Sequence, residues 1–237
     1  MNGTELAVRF SYIVNSLRYC GPAEAHKRFR HYLKNKDNKE EVDKLLTKFE
    51  ALMPYLDAIA QKTGKKPFDY DVVEAYWIGN ELLDKLGKKD LEKIINELVR
   101  NGLPIKMGER LIQKLPDGFV PLHAFNVFYV GVGQTTRKVP TTLPNMNKCM
   151  TSYGRVKKIE EKELMIVKSF VELEDNRYFF GKEKEQKVMY MKEMIPEVKV
   201  DDIVALHWNF ATVVLDDRQL ENLKKYTQKV LDAMNSI

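Results

Sequence analysis

The sequence predicts an α+β protein: an N-terminal helical bundle, then a small OB-like β-barrel that ends in a C-terminal helix. Three observations carry that prediction. Apolar residues recur every three to four positions through residues 1–115, the period falls to two after Cys149, and the closing stretch DDRQLENLKKYTQKVLDAMNSI returns to helical spacing.

The helical part reads element by element. In NKEEVDKLLTKFEALMPYLDAIA the residues Val42, Leu45, Leu46, Phe49, Leu52, Met53, Leu56 and Ile59 form one stripe, predicting a continuous helix bent by Pro54 near Ala51–Met53. DYDVVEAYWIGNELLDKLG repeats the pattern through Val73, Tyr76, Trp77, Leu83 and Leu86, with aspartates at its start and Gly87 at its end. KKDLEKIINELVRNG repeats it again through Leu91, Ile94, Ile95, Leu98 and Val99 to Gly102. Short connected helices of this kind pack as a bundle. Residues 116–148 hold Pro116, Pro121, Pro140 and Pro144 with one β-favouring run, Phe125 to Val132, and read as a linker containing one strand. From 149 to 237, short alternating strands separated by charged turns precede the last helix, whose apolar positions are Leu220, Leu223, Tyr226, Val230 and Leu231. A barrel suits such short strands because closure removes free sheet edges.

Composition narrows the function classes. The net charge of +5 comes from 39 basic and 34 acidic residues spread along the chain, so no concentrated polyanion-binding surface is demanded. Cys20 and Cys149 are the two cysteines and form no CxxC pair, which argues against a disulfide framework and a four-thiolate zinc site. The N-terminus lacks a signal-peptide pattern and the longest apolar run is too short for a bilayer, so a cytoplasmic protein without a membrane partner is expected. Phosphate-loop, dinucleotide, HExxH and GxSxG motifs do not occur.

The residue that asks for an explanation is His207, in VDDIVALHWNFATVVLDDRQ. Alternation puts Ile203, Ala205 and His207 on one face and Val204, Leu206 and Trp208 on the other, until the WNF triplet breaks it. Cys20, in RYCGPAE, reads as a small buried side chain at a helix end; the sharper reading sets its thiol at the positive end of the next helix, with a depressed pKa. His123, in VPLHAFNVF, reads as bonding a backbone carbonyl, with a role beside Cys149 and His207 as the alternative.

Residues 149–237 carry a Cys-Met start, a glycine before RVKKIEEKELMIVK, then PEVKVDDIVALHWNFATVVLDD and a Gln-Leu-rich helix; this order resembles the small hydrogenase-maturation chaperones of the HypC/HupF family. Matched by position, Cys149 is the leading cysteine, Gly154 the turn glycine, Asp202 the aspartate before the strand, His207 the strand histidine, and Phe210 with Ala211 the "FA" pair. The resemblance implies an accessory or chaperone protein rather than an enzyme. It implies that Cys149 and His207 ligate an iron fragment carrying cyanide and carbon monoxide, in company with a hydrogenase subunit or maturation factor. Trp208, Asn209 and Phe210 are then the expected partner contacts. A soft thiolate and a borderline imidazole suit iron better than magnesium or calcium. The sequence departs from that pattern in having an internal cysteine and Asn209 where the family has glycine. The whole chain also looks like an uncharacterised prokaryotic family through YCGP, PYLDAIA, VVEAYWIGNELLDKL, HAFNVF and LHW, which singles out Cys20 and His123.

Two readings of other classes stand beside this one. An oligonucleotide-binding barrel would use Tyr153, Arg155, Tyr178 and Tyr190 for stacking and phosphate contact. A thiol hydrolase would use His207 to activate Cys149. The leading reading requires the Cys149 sulfur and the His207 ring to meet at one accessible spot.

Overall fold

The computed structural model describes residues 1–237. Seven helices come first: α1 (Gly3–Ser16), α2 (Ala25–Asn35), α3 (Lys39–Leu46), α4 (Met53–Thr63), α5 (Tyr70–Trp77), α6 (Lys88–Arg100) and α7 (Ile105–Lys114). The stripe from Val42 to Ile59 is buried as its spacing predicts, at Val42, Leu46, Phe49, Leu52, Leu56 and Ile59. It does not belong to one bent helix, however. Pro54 sits in the first turn of α4, where its missing N–H would have had no helical partner, so it starts a helix instead of bending one.

The next predicted helix is likewise divided. Its first half is α5; Gly79 then takes φ +99°, and a single 3-10 stretch, Glu81–Lys85, follows. A Cβ at Gly79 would lie 2.7 Å from Cδ2 of Tyr226, so the aromatic ring of the last helix occupies the space a side chain would need. α6 runs as predicted and stops before Gly102.

The expected strand from Phe125 to Val132 is helical. α8 (His123–Phe125) continues without a break into a π-turn, Asn126–Gly131. Phe125, Val127, Phe128, Tyr129 and Val130 are all buried. A helix enclosed on every side needs apolar residues at nearly every position, and such a run has the composition of a buried strand. α9 (Leu143–Cys149) follows, with the Thr142 hydroxyl accepting from the Asn145 N–H at its start.

The remaining elements are β1 (Ser152–Ile159), β2 (Glu163–Lys168), β3 (Val171–Glu174), β4 (Arg177–Phe180), β5 (Lys184–Met189), β6 (Ile203–His207), β7 (Phe210–Val214) and α10 (Asp217–Met234). β3 and β4 form a separate ribbon, while the other five close in the order β1-β2-β5-β7-β6. Counting only those five, the ring runs first, second, third, fifth, fourth, with the third–fifth pair parallel and the others antiparallel. That is an OB-like order. The parallel seam is a single residue pair, Met189 with Phe210, so the barrel is open along most of that edge.

The barrel interior is small, built from Val156, Leu164, Ile166, Val188, Val204, Leu206 and Ala211 among others. The alternation of β6 holds: Val204 and Leu206 point into the barrel, whereas Ala205 joins the larger core shared with the helices. WNF breaks the alternation because it is a turn. Trp208 and Asn209 have φ of +51° and +56°, the left-handed pair of a two-residue type I′ hairpin, and Asn is among the residues that tolerate that conformation best. α10 buries Leu223, Tyr226, Val230 and Leu231 in the same core as α1 and α5. The outer face of β6 and β7 is therefore covered by helices, which brings His207 into the interior. No helix is long and apolar enough to cross a membrane.

Candidate metal centre

Two chain joints place the central residues. β1 and β6 pair with Ser152 opposite Leu206, so Cys149, at the end of α9, lies beside the residue that ends β6. His207 is that residue. The N-terminus of α8 brings His123 against both. The Cys149 Sγ lies 3.7 Å from His123 Nε2 and 3.9 Å from His207 Nε2, and the three ligand atoms all fall within 4.8 Å of one another. Cys149 and His207 thus lie side by side, and His123 stands against both.

The hydrogen bonds around the trio decide which nitrogens face the sulfur. His207 Nδ1 lies 2.8 Å from the Phe10 carbonyl oxygen, which can only accept, so Nδ1 carries the proton and Nε2 presents a lone pair towards Cys149. His123 Nε2 lies 3.0 Å from the Cys149 carbonyl oxygen and therefore donates to it. Its Nδ1, 2.8 Å from the Tyr76 hydroxyl, then accepts from Tyr76. A tyrosine hydroxyl donates or accepts equally well, so the proton of His123 can move to Nδ1 and free Nε2 while Tyr76 still bonds the ring.

All three groups are uncharged. Burial pushes the pKa of His207 down to about 4 against a raising contribution from the Phe10 carbonyl, and burial together with the nearby His207 pushes that of His123 well below the usual range. Burial pushes the Cys149 thiol far up, against a lowering contribution from the Trp208 indole. Two neutral imidazoles and a protonated thiol are not a pre-formed thiolate–imidazolium pair, so a thiol hydrolase would need His207 Nε2 to take the Cys149 proton as a general base.

Aromatic rings enclose the cluster. Trp77 stacks on Phe10 at 4.8 Å between centroids and lies 4.4 Å from the His123 ring and 5.1 Å from that of His207. Tyr76 and Trp77 are core residues as their spacing predicts, and they also hold the site. A cavity of about 60 Å³, room for roughly three water-sized atoms, opens beside the trio and is lined in part by Ser11, Cys20, Trp77 and Thr136.

Several expectations need correction. The meeting point of Cys149 and His207 is interior, with Cys149 buried and His207 at 1% exposure because helices cover that side of the barrel, so the accessible spot that the chaperone reading requires is not there. Trp208 and Phe210 are buried against Tyr19 and Tyr12, and Asn209 bonds Gln186, so this triplet is not an open surface for a partner. Cys20 lies in the turn between α1 and α2, and its thiol is pushed up to about 12 by burial and by Glu50, not depressed by a helix end. Of the four residues of the oligonucleotide reading, Tyr190 is buried with its hydroxyl on the Glu160 carbonyl and Tyr178 packs against Phe128, while Tyr153 is half-buried and Arg155 exposed.

Sequence reasoning missed Ser11, the Phe10 carbonyl and Tyr76 as parts of the site. A backbone carbonyl has no sequence signature, and Tyr76 and Ser11 are ordinary members of buried helix faces.

No curated protein and no solved structure matches the chain. One family model covers residues 1–237, described as a family of unknown function, DUF6390. The chain belongs to that family.

Proposed function

We propose that this is a metal-binding protein whose centre is formed by Cys149 Sγ, His207 Nε2 and His123 Nε2. One observation carries the reading: three ligand-type side chains from distant parts of the chain converge in the interior with no acidic or basic partner to explain them. In a tetrahedral zinc site, bonds of about 2.3 Å to sulfur and about 2.0 Å to nitrogen give a sulfur–nitrogen separation of about 3.6 Å. The sulfur–nitrogen separations here, 3.7 and 3.9 Å, need only a few tenths of an ångström of contraction. The two histidine nitrogens, within 4.8 Å of each other, must close by up to about 1.5 Å towards the separation of about 3.3 Å in a tetrahedral site, a movement the two rings have to supply on binding. One thiolate and two neutral imidazoles suit zinc, iron(II) or cobalt(II) and disfavour magnesium and calcium. Because both rings are already neutral, capture requires one proton to leave, that of the Cys149 thiol. Three protein ligands leave a fourth position for an outside molecule.

Native mass spectrometry of the purified protein after zinc addition tests this. One retained ion per chain is expected, with at least a hundredfold weaker binding in C149A and H207A. Equal retention in the variants would place the metal elsewhere.

A finer reading assigns the centre to metalloenzyme assembly, as an accessory protein holding iron for a hydrogenase subunit or maturation factor. Its support is the Cys149–His207 pairing on an OB-like strand order. The burial of the pair favours an ion kept over an ion handed on. Anaerobic iron loading followed by incubation with an iron-free acceptor protein tests it: loss of iron to the acceptor supports assembly, and retention supports a resident ion.

A further inference from the structure

The cavity beside the trio holds polar groups that the protein itself leaves without partners. Ser11 Oγ, Trp77 Nε1 and Thr136 Oγ1 are buried atoms with no hydrogen bond, and all three residues line this cavity. Ser11 is 1% and Trp77 4% exposed, so bulk water does not satisfy them. An unpaired buried donor costs about 1–3 kcal/mol, and concentrating such donors at one small cavity is reasonable only if something placed there accepts from them. The indole N–H can only donate and the two hydroxyls can donate, so the occupant must offer acceptor atoms. No lysine, arginine, aspartate or glutamate lines the cavity, so any charge on the occupant has to be matched by something other than a side chain. The volume of about 60 Å³ admits roughly three non-hydrogen atoms.

We propose that this cavity is the subsite for a three-atom anion with an acceptor at each end, a formate-like or azide-like ligand, bound at the open position of the metal centre and held at its far end by Ser11 and Trp77. The inference rests on the metal reading above and adds the class of molecule that the fourth position takes. The metal supplies the positive charge that the cavity walls lack. Trp77 is suited to the positioning role because its ring is fixed between Phe10 and the two histidines.

The test uses the full-length protein loaded with cobalt(II), whose visible absorption responds to a change of ligand at the metal, with azide and formate as probes. A saturable spectral change is expected with at least one of them. S11A and the isosteric T136V, combined, and separately W77F, which keeps an aromatic ring but lacks the indole N–H, should weaken that binding tenfold or more, compared among variants that each still retain one cobalt per chain. Urea unfolding of each variant establishes that it is folded. Cobalt bound but unresponsive to both anions, or equal anion affinity in the folded variants, overturns the subsite and leaves the metal centre standing. If cobalt does not bind, the metal centre and the subsite fall together.

Discussion

Acidifying the metal-free protein should cost stability through His207, and the size of the loss follows from its burial. The ring is held neutral in the folded state with a pKa of about 4, against about 6.5 when unfolded. Between those values the unfolded chain takes up a proton that the folded chain refuses, so stability falls as pH drops from about 6.5 towards 4 and levels off below. At pH 5 the ring has passed about 1.5 pH units below its unfolded value, at about 1.4 kcal/mol per unit, for a loss of about 2 kcal/mol. His123, shifted in the same direction, adds to it. The assay is urea unfolding with a chelator present at pH 7 and pH 5, a window in which most carboxylates stay ionised. H207N retains an N–H that can reach the Phe10 carbonyl, and it should remove about 2 kcal/mol of the difference between the two pH values. A loss in H207N equal to that of the unmodified protein would refute the neutral, buried histidine.

Lys168 should give a dependence of the same sign at higher pH. It is 3% exposed, bonded to Ser152 Oγ at 2.7 Å and set over the Phe170 ring, and burial lowers its pKa from about 10.5 to about 8. The folded state then releases a proton that the unfolded chain keeps, so stability should rise by up to about 3 kcal/mol between pH 8 and pH 10.5; K168M should flatten that rise, and an unchanged rise would contradict it. G79A should lose more than about 2 kcal/mol in urea unfolding, from left-handed strain and overlap with Tyr226; a near-neutral effect would mean that Tyr226 yields easily. Native Cys149 and Cys20 should react with iodoacetamide at neutral pH at least tenfold more slowly than in urea, because burial raises both thiols; fast native alkylation of Cys149 would support a nucleophilic role.

The fold was legible where one periodicity dominated. The stripe from Val42 to Ile59, the run from Leu91 to Val99 and the alternation of Val204 with Leu206 each landed on the side their spacing predicts. It was illegible where burial on all sides erased the period, as from Phe125 to Val132, whose apolar run became a π-turn. Helix breaks at Gly79 and Pro54 depend on what packs there, Tyr226 in the first case, and that contact spans most of the chain. The Cys149–His207 pair was readable as a pair of residue types. Its interior position was not, because the helices that cover β6 and β7 are specified elsewhere in the sequence. His123 was singled out only by its HAFNVF pattern and by the expectation of a bond to a backbone carbonyl; which carbonyl, that of Cys149, depends on the packing of α8 and could not be read locally.

The central claim is that Cys149, His123 and His207 bind one metal ion together, and anaerobic cobalt(II) titration followed by absorption spectroscopy tests it most directly. The account predicts saturation at one cobalt per chain, with a thiolate-to-cobalt charge-transfer band and tetrahedral visible bands, the first lost in C149S and the second altered in H123A and H207A. No charge-transfer band with cobalt in excess, or a band that survives in C149S, would contradict it.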